Sequence, residues 1–507
     1  MSCRFGTGHY CTVTRTELGL MKSFRTTRVI ILMFCVGIVL GTPTATWTEQ
    51  QSAGTNSLPV IIFVEAPVIA SGQAVDRFPQ GSHLARITPG APSDSATNLT
   101  SEFFAAADPR VSFDASSVLF AGRKTRGARW QIWEMDPDGS EKRQITHCPA
   151  DCLQPAYLPR TQIVFTMVAG KGAQQTSGVY VSQENGADVH PITFGPGNFQ
   201  VETVLRNGRI LVSARSSLTA GPQGNDSRMF YILRTDGSGL TPFRWNSVPN
   251  VVRTGAEELN DGTVLFVKKQ DPAGKMTGGE LAWVRPGALH NSVITPADSV
   301  YWSAHALDGN RLVVARADSG PAGALGKFGL YVFNIETRKI EQTIYRSPKF
   351  SGVEAVPLEK RRVPLYYWSI LHPKRDYGRV ICLNSYLSAD VPRGRLASHI
   401  AHVRIITLQP DHHTERTLGE VPVESDGSFY IKVPADRPIR FQLLGTKGEV
   451  IHQQKSWIWA RTGEDVPCVG CHESRALVPG DHWPLALKRP GAPIPVGLPS
   501  KSQSARH

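Results

Sequence analysis

Gln131-Ile132-Trp133-Glu134-Met135 runs directly into Asp136-Pro137-Asp138-Gly139. A short β-branched and aromatic run that ends in a Pro/Asp/Gly turn predicts a strand entering a hairpin. The same unit returns along the chain. Val179-Tyr180-Val181 leads to Glu184-Asn185-Gly186, Met229-Phe230-Tyr231-Ile232 leads to Asp236-Gly237, and Leu330-Tyr331-Val332-Phe333 is a fourth copy. Leu84–Ile87 and Leu281–Val284 fill the remaining places. Each is preceded by a shorter apolar run: Val60–Phe63, Val118–Phe120, Ile163–Phe165, Ile210–Val212, Val264–Phe266 and Leu312–Val314. The ends of these first runs are 57, 45, 47, 54 and 48 residues apart. A repeat of about 40–50 residues, with four short strands per unit, is what a β-propeller requires. A large sandwich would not make a two-strand unit recur six times. The expectation is an all-β chain with a six-bladed propeller over residues 57–350.

Upstream, Val29–Leu40 is an uncharged apolar run preceded by Lys22, Arg25 and Arg28. A basic segment before an apolar run too short to span a bilayer comfortably reads as a Sec-type signal within a 1–45 leader. Export to the periplasm follows, and an uncleaved membrane anchor facing the periplasm is the alternative. Met21 is a natural start for such a signal. The chain carries 55 Lys+Arg against 43 Asp+Glu, a net +12. The excess is spread along the chain rather than gathered in a stripe, so no nucleic-acid partner is expected.

At the other end stands Cys468-Val469-Gly470-Cys471-His472. Two thiols three positions apart reach the two vinyl groups on one edge of a porphyrin, and the next residue presents an imidazole to the iron. One covalently attached haem c on Cys468, Cys471 and His472 is the expectation. Half a zinc site or a thioredoxin-type pair are the alternatives, but no second Cys/His pair and no βαβ pattern accompany them. Beyond the leader the other cysteines are Cys148, Cys152 and Cys382. Cys148 and Cys152 flank the turn-like Pro149-Ala150-Asp151, which allows a tight loop disulfide in an oxidising compartment; a metal site using His147 is the sharper alternative. Cys382, in the apolar Val380–Leu383, reads as a buried small hydrophobe.

Residues 351–377 form a Pro- and Arg-punctuated connector, and 378–465 a small β-sandwich-like middle domain. Its strands are Arg379–Leu383, His402–Leu408, Ser428–Val433 and Ile439–Leu444, with turns at Asp426-Gly427, Asp436-Arg437-Pro438 and Gly445–Gly448. The Asp426–Tyr430 and Phe441–Leu444 stretches look like a transthyretin-like or carboxypeptidase-regulatory-like module, usually a scaffold. The haem-attachment segment is set at 466–490, and 491–507 reads as a disordered tail.

In this order, the parts resemble the hydrazine synthase alpha subunit family, a TolB-like propeller followed by a middle domain with a haem motif. The resemblance is specific from about Asp426 to Glu473, through Ser456-Trp457-Ile458-Trp459 and the Cys468–His472 motif, and diffuse across the propeller. It implies thioethers at Cys468 and Cys471 and the haem histidine at His472. It does not imply hydrazine synthesis, since that subunit bears a second haem motif and this chain has one.

Only 35 residues follow His472, six of them proline, so a helical cytochrome wrap has no room. The middle domain, Trp457, Trp459, Trp483 or a propeller face must cover the haem, although those tryptophans equally suit ordinary packing. No methionine follows Met276. His482, ten residues beyond His472, is therefore the candidate sixth ligand. His452 is the next candidate, His399 and His402 are weaker, and a vacant site or Tyr386 is the competitor. His305 and His412-His413 read as surface or packing residues. Arg361, Arg362, Lys374, Arg375, Arg379, Arg393 and Arg395 offer positive charge to an acidic redox partner protein. Electron transfer with the propeller as docking platform is the first functional expectation. A haem oxidoreductase acting on a small molecule at the propeller mouth, or a binding module with a structural haem, are the alternatives. N-terminal sequencing of the exported protein is expected to start between Thr42 and Trp47; a start upstream of Val29 replaces cleavage with anchoring.

Overall fold

The computed structural model describes residues 58–69, 74–170, 175–215, 228–243, 251–270, 278–285, 288, 291–295, 299–318, 326–387, 400–409, 414–454, 456–470 and 483–498. The leader lies outside them. Among the described residues, six four-stranded sheets follow one another along the first part of the chain. The strands Ala105–Val111, Asp151–Leu158, Gln200–Val204, Val251–Glu258 and Ser299–Ala306 each begin a sheet. Each packs against its counterpart in the next sheet. The first sheet is completed differently, because Ile61–Ala66 pairs with His83–Ile87 on one side and with Ser351–Pro357 on the other. Ser351–Pro357 then packs against both Ser299–Ala306 and Ala105–Val111, so the ring closes on itself.

This closure corrects two expectations. The propeller does not end at 350, because Ser351–Pro357 is its closing strand, and the connector begins only after it. The apolar runs read as first strands are second in their sheets: Val118–Arg123 lies between Ala105–Val111 and Gln131–Met135. Apolar cores fill the spaces between neighbouring sheets. Phe103, Val118, Phe120 and Ile62 pack between the first two, and Leu211, Phe230, Val264 and Phe266 between the fourth and fifth.

Every innermost strand loses register with its neighbour at one point, as a β-bulge does. Asp108, Gln154 and Glu354 adopt positive φ there (55°, 52° and 53°), and Gly255 takes the same conformation without a Cβ penalty. Bulge amides find side chains of the neighbouring sheet. Asp108 N donates to Glu354 Oε2 at 2.9 Å, and Gln154 N to Asp108 Oδ2 at 2.9 Å. Glu354 N donates to Ser303 Oγ at 3.0 Å, and Ala256 N to Glu202 Oε2 at 3.3 Å. Arg77 pins this ring at 2.5 Å from Asp108 Oδ1 and 3.5 Å from Glu354 Oε1.

The middle domain is two facing sheets. One runs Glu415–Pro422, His402–Leu408, Ile439–Leu444, Val450–Gln453; the other runs Asp465–Cys468, Tyr377–Cys382, Phe429–Pro434, Ile494–Pro495. Val380, Val403, Ile405, Ile431, Val433, Phe441 and Leu443 form the core between them. The expected tail is ordered through residue 498: Ile494–Pro495 pairs in parallel with Phe429–Pro434, and Val496 enters the core. Its prolines are compatible with that place because an edge strand leaves one side unpaired.

Burial pushes Glu354 up to about 7 despite Arg77. Its folded pKa therefore exceeds its unfolded value, so the folded state binds the proton more tightly. Stability should fall as pH rises from the ordinary glutamate range through 7, by up to about 3 kcal/mol from this group. Chemical denaturation at pH 5 and pH 8 should show that loss in the wild type and a smaller one in Glu354→Gln. An equal loss in both removes Glu354 from the account.

Candidate functional site

The first motif cysteine ends a four-residue edge strand, Asp465–Cys468, in parallel register with Tyr377–Cys382. Leu383 N donates to Cys468 O at 2.8 Å, and Asn384 N to Val469 O at 3.1 Å. The backbone then passes so close to the Asn384–Leu387 turn that a Cβ on Gly470 would lie 2.6 Å from Leu387 O. Ser385 N donates to Gly427 O at 2.7 Å, which ties that turn to the Asp426–Ser428 hairpin. The far side of the motif returns to the same hairpin: Leu485 N donates to Asp426 Oδ2 at 2.8 Å and Ala486 N to Ser428 Oγ at 2.9 Å. Both flanks of 471–482 are thus fixed to one end of the sandwich. Cys471, His472 and His482 themselves lie outside the described residues, as do His399, His412, His413, Arg393 and Arg395.

The residues present suit covalent attachment of a porphyrin. Cys468 is half-buried and sits at the open end of an edge strand. Gly470 meets a backbone cradle that a side chain would fill. Of the alternative ligands, Tyr386 belongs to the cradle, its amide donating to Asn384 Oδ1 at 3.0 Å. His402 and His452 stand on the opposite sheet.

A turn just before the cysteine strand locks it to the propeller. Glu464 Oε1 accepts from Gly239 N at 2.7 Å and Glu464 Oε2 from Arg461 N at 2.7 Å. Arg461 reaches Asp236 O and lies 2.6 Å from Asp436 Oδ1. Burial raises Glu464 above the usual carboxylate range, although both amides oppose the shift. Trp459 inserts beside Phe194 and Phe199 and donates from Nε1 to Gly237 O at 3.1 Å. It is a propeller contact, while Trp457 lies under the Arg440 guanidinium and Trp483 is 67% exposed.

The connector is an extended strap over the propeller turns. Leu358 N donates to Val60 O, Arg361 N to Phe113 O, Leu365 N to Arg206 O, and finally His372 N to Thr462 O. Val363, Leu365, Tyr367, Trp368 and Ile370 point outward along it, Trp368 at 72% exposure. Arg361 begins this strap against the innermost strand Ala105–Val111, its Nη2 donating to Val111 O. There His305 Nε2 lies 3.5 Å from Arg110 Nη1 and 3.8 Å from Glu257 Oε2. Burial, then Arg110 and Arg361, hold His305 well below its usual value, so the ring is neutral. Its Nδ1 has no hydrogen-bond partner among the described residues. Burial also raises Glu257, against those same arginines. The signal for this cluster was absent because its members come from three separate repeats and the strap.

Cys148 and Cys152 are free thiols in this structure and adjoin each other. A hydrogen bond from Cys152 lowers Cys148, while the same contact and burial raise Cys152.

A family model described as the hydrazine synthase alpha subunit middle domain matches residues 395–473, a span that includes the whole cysteine motif. Hydrazine synthase subunit alpha of Kuenenia stuttgartiensis is 21% identical over 557 residues, covering 84% of this chain and 68% of that protein. The solved hydrazine synthase of Kuenenia stuttgartiensis superposes with a TM-score of 0.75 at 20% identity, over 85% of this chain and 71% of that one. TolB from Acinetobacter baumannii aligns at a TM-score of 0.42 and 13% identity, over 59% of this chain and 66% of that one.

The cradle yields a specific expectation. Gly470→Ala places a methyl group against Leu387 O, and neither backbone can yield cheaply, so a loss of about 1–3 kcal/mol is expected. Val469→Ala should cost less, and equal denaturation midpoints for the two variants would remove the close approach.

Proposed function

We propose that this chain, a hydrazine synthase alpha subunit-related protein, is an exported c-type haem protein that transfers electrons in the periplasm, with its propeller as docking platform. Cys468, Cys471 and His472 would hold a single covalent haem, which supplies one-electron exchange at iron. The observation that carries this reading is the fixed bed of the motif. Gly470 lies in the Asn384–Leu387 cradle, and Glu464 joins the preceding turn to Gly239 of the propeller. A site that only moved would not need both anchors. The chain's own residues set the position of the attachment strand, and the outward row from Val363 to Ile370 offers an exposed apolar centre on the connector. Lys360, Arg362 and Lys374 are exposed around that row and suit a partner with an acidic rim. Hydrazine synthesis itself is not part of this reading.

A second reading rests on His305. A neutral buried imidazole with an open Nδ1, beside Arg110 and Glu257, is equipped to bind a small polar molecule at the channel mouth. Under it the protein is a haem oxidoreductase. The Cys148–Cys152 disulfide also belongs to the exported form, since the two thiols already adjoin and an oxidising compartment would join them.

Optical spectra of the exported protein, oxidised and reduced, with and without carbon monoxide, decide between the readings. Electron transfer predicts six-coordinate low-spin iron that ignores the gas, and loss of that spectrum in His482→Ala if His482 is the sixth ligand. A carbon monoxide adduct in the wild type puts the oxidoreductase first. A chain without any haem absorbance sinks both.

A further inference from the structure

Cys382 and Cys468 are register partners on neighbouring parallel strands. Cys382 belongs to the core between the two sheets, and Cys468 packs against that core from the edge. Their side chains therefore share one face, and the buried thiol stands beside the half-buried one. We propose that Cys382 and Cys468 form a disulfide in the chain before haem is attached, and that this bond must be reduced before Cys468 can accept a porphyrin vinyl group. The second half of the proposal rests on the haem reading above; the first half does not.

Geometry permits the bond without a new fold. Neighbouring strands lie about 4.8 Å apart, inside the roughly 4.4–6.8 Å Cα span of disulfides. The Cβ atoms of parallel partners keep about the same spacing, slightly more than the roughly 3.5–4.5 Å a disulfide prefers. Closing that gap requires a small inward shift of Asp465–Cys468, an edge strand four residues long with a single neighbour in its sheet. A bond made under that strain is the readily reduced kind, suited to a transient state.

Access sets the order of events. Cys382 is 2% exposed, so an external oxidant meets Cys468 first. A disulfide of the thiol–disulfide oxidant class is attacked by the Cys468 thiolate to give a mixed disulfide. The Cys382 sulfur then displaces the oxidant, which leaves as a dithiol. The protein loses two protons and two electrons, and the oxidant gains them. A dithiol reductant reverses both exchanges. The freed Cys468 would then be available to hold a porphyrin through a thioether, an addition that carries no net redox change. Cys148 and Cys152 stay out of this exchange because they neighbour each other inside the propeller.

The full chain, exported in a host without cytochrome c maturation machinery, is trapped by acid alkylation without reduction and mapped by peptide mass spectrometry. A Cys382–Cys468 crosslink in most molecules is expected. Alkylated Cys382, with Cys468 free or joined to Cys471, overturns the proposal. Loading is read separately, as haem per polypeptide by pyridine haemochrome, in a host whose maturation machinery lacks its thiol reductant. Cys382→Ser should load at least threefold more haem than the wild type there, and equally with the reductant restored. Cys382→Ala guards against a folding defect from the buried hydroxyl. Equal loading of both variants and the wild type without reductant overturns the gating role. A wild type that takes no haem even with complete machinery overturns the haem reading, while the crosslink map is read on its own.

Discussion

The propeller holds together at the points where its innermost strands break register. A bulge exposes a backbone amide that the sheet can no longer satisfy, and a buried amide without a partner costs on the order of 1–3 kcal/mol. Here Glu354 serves Asp108, Asp108 serves Gln154, Glu202 serves Ala256 and Ser303 serves Glu354. Between the third and fourth sheets Thr166 does the same for Val201, at 2.9 Å. Each sheet is thereby completed by its neighbour. The cost is a set of buried carboxylates, and Arg77 compensates it where Asp108 and Glu354 converge. Removing Arg77 would leave Asp108 and Glu354 buried without their shared cation, which is the expensive outcome.

The same logic places the cysteine strand. The middle domain has its own core, so nothing in its packing alone would orient it on the propeller. The Arg461–Glu464 turn does so by satisfying backbone groups of the Asp236–Gly239 hairpin. Trp459 adds apolar area in the same place, its ring against Phe194 and Phe199. Cys468 follows Glu464 by four positions within a regular strand. Its position is therefore set by contacts across a boundary that in many multidomain chains is loose.

How much of this was legible follows from what periodicity can carry. Second and third strands announced themselves because Val118–Phe120 is buried throughout, Met229–Ile232 is buried or half-buried, and both read as apolar runs. Innermost strands did not, since Ala105-Ala106-Ala107-Asp108-Pro109-Arg110-Val111 mixes small and charged residues around a bulge. The closing strand was missed because its partner, Ile61–Ala66, is almost the whole propeller away in sequence. Proline made Ile494–Pro495 look like a tail, whereas a parallel edge position tolerates it. The Cys468–His472 pattern was legible because its spacing is local. Its bed was not, since Asn384–Leu387 meets Gly470 only through the fold.

The two functional readings share a physical element. Arg361 helps keep His305 neutral, and its Nη2 donates to Val111 O at 2.8 Å. Eleven residues later the same segment ends on Thr462, next to the Glu464 turn. Between these points the strap is held by single contacts, such as Arg160 stacked 4.2 Å from the Trp368 ring and Ser369 Oγ on Asp236 Oδ2 at 2.8 Å. It buries little of its own apolar surface, so its position depends on those anchors rather than on a core. Arg361 fixes one end of the strap through its amide on Phe113 O and its Nη2 on Val111 O. The other end bears on the turn that holds the cysteine strand. One extended segment thus runs from the Arg361–His305 contact to the turn that holds the cysteine strand.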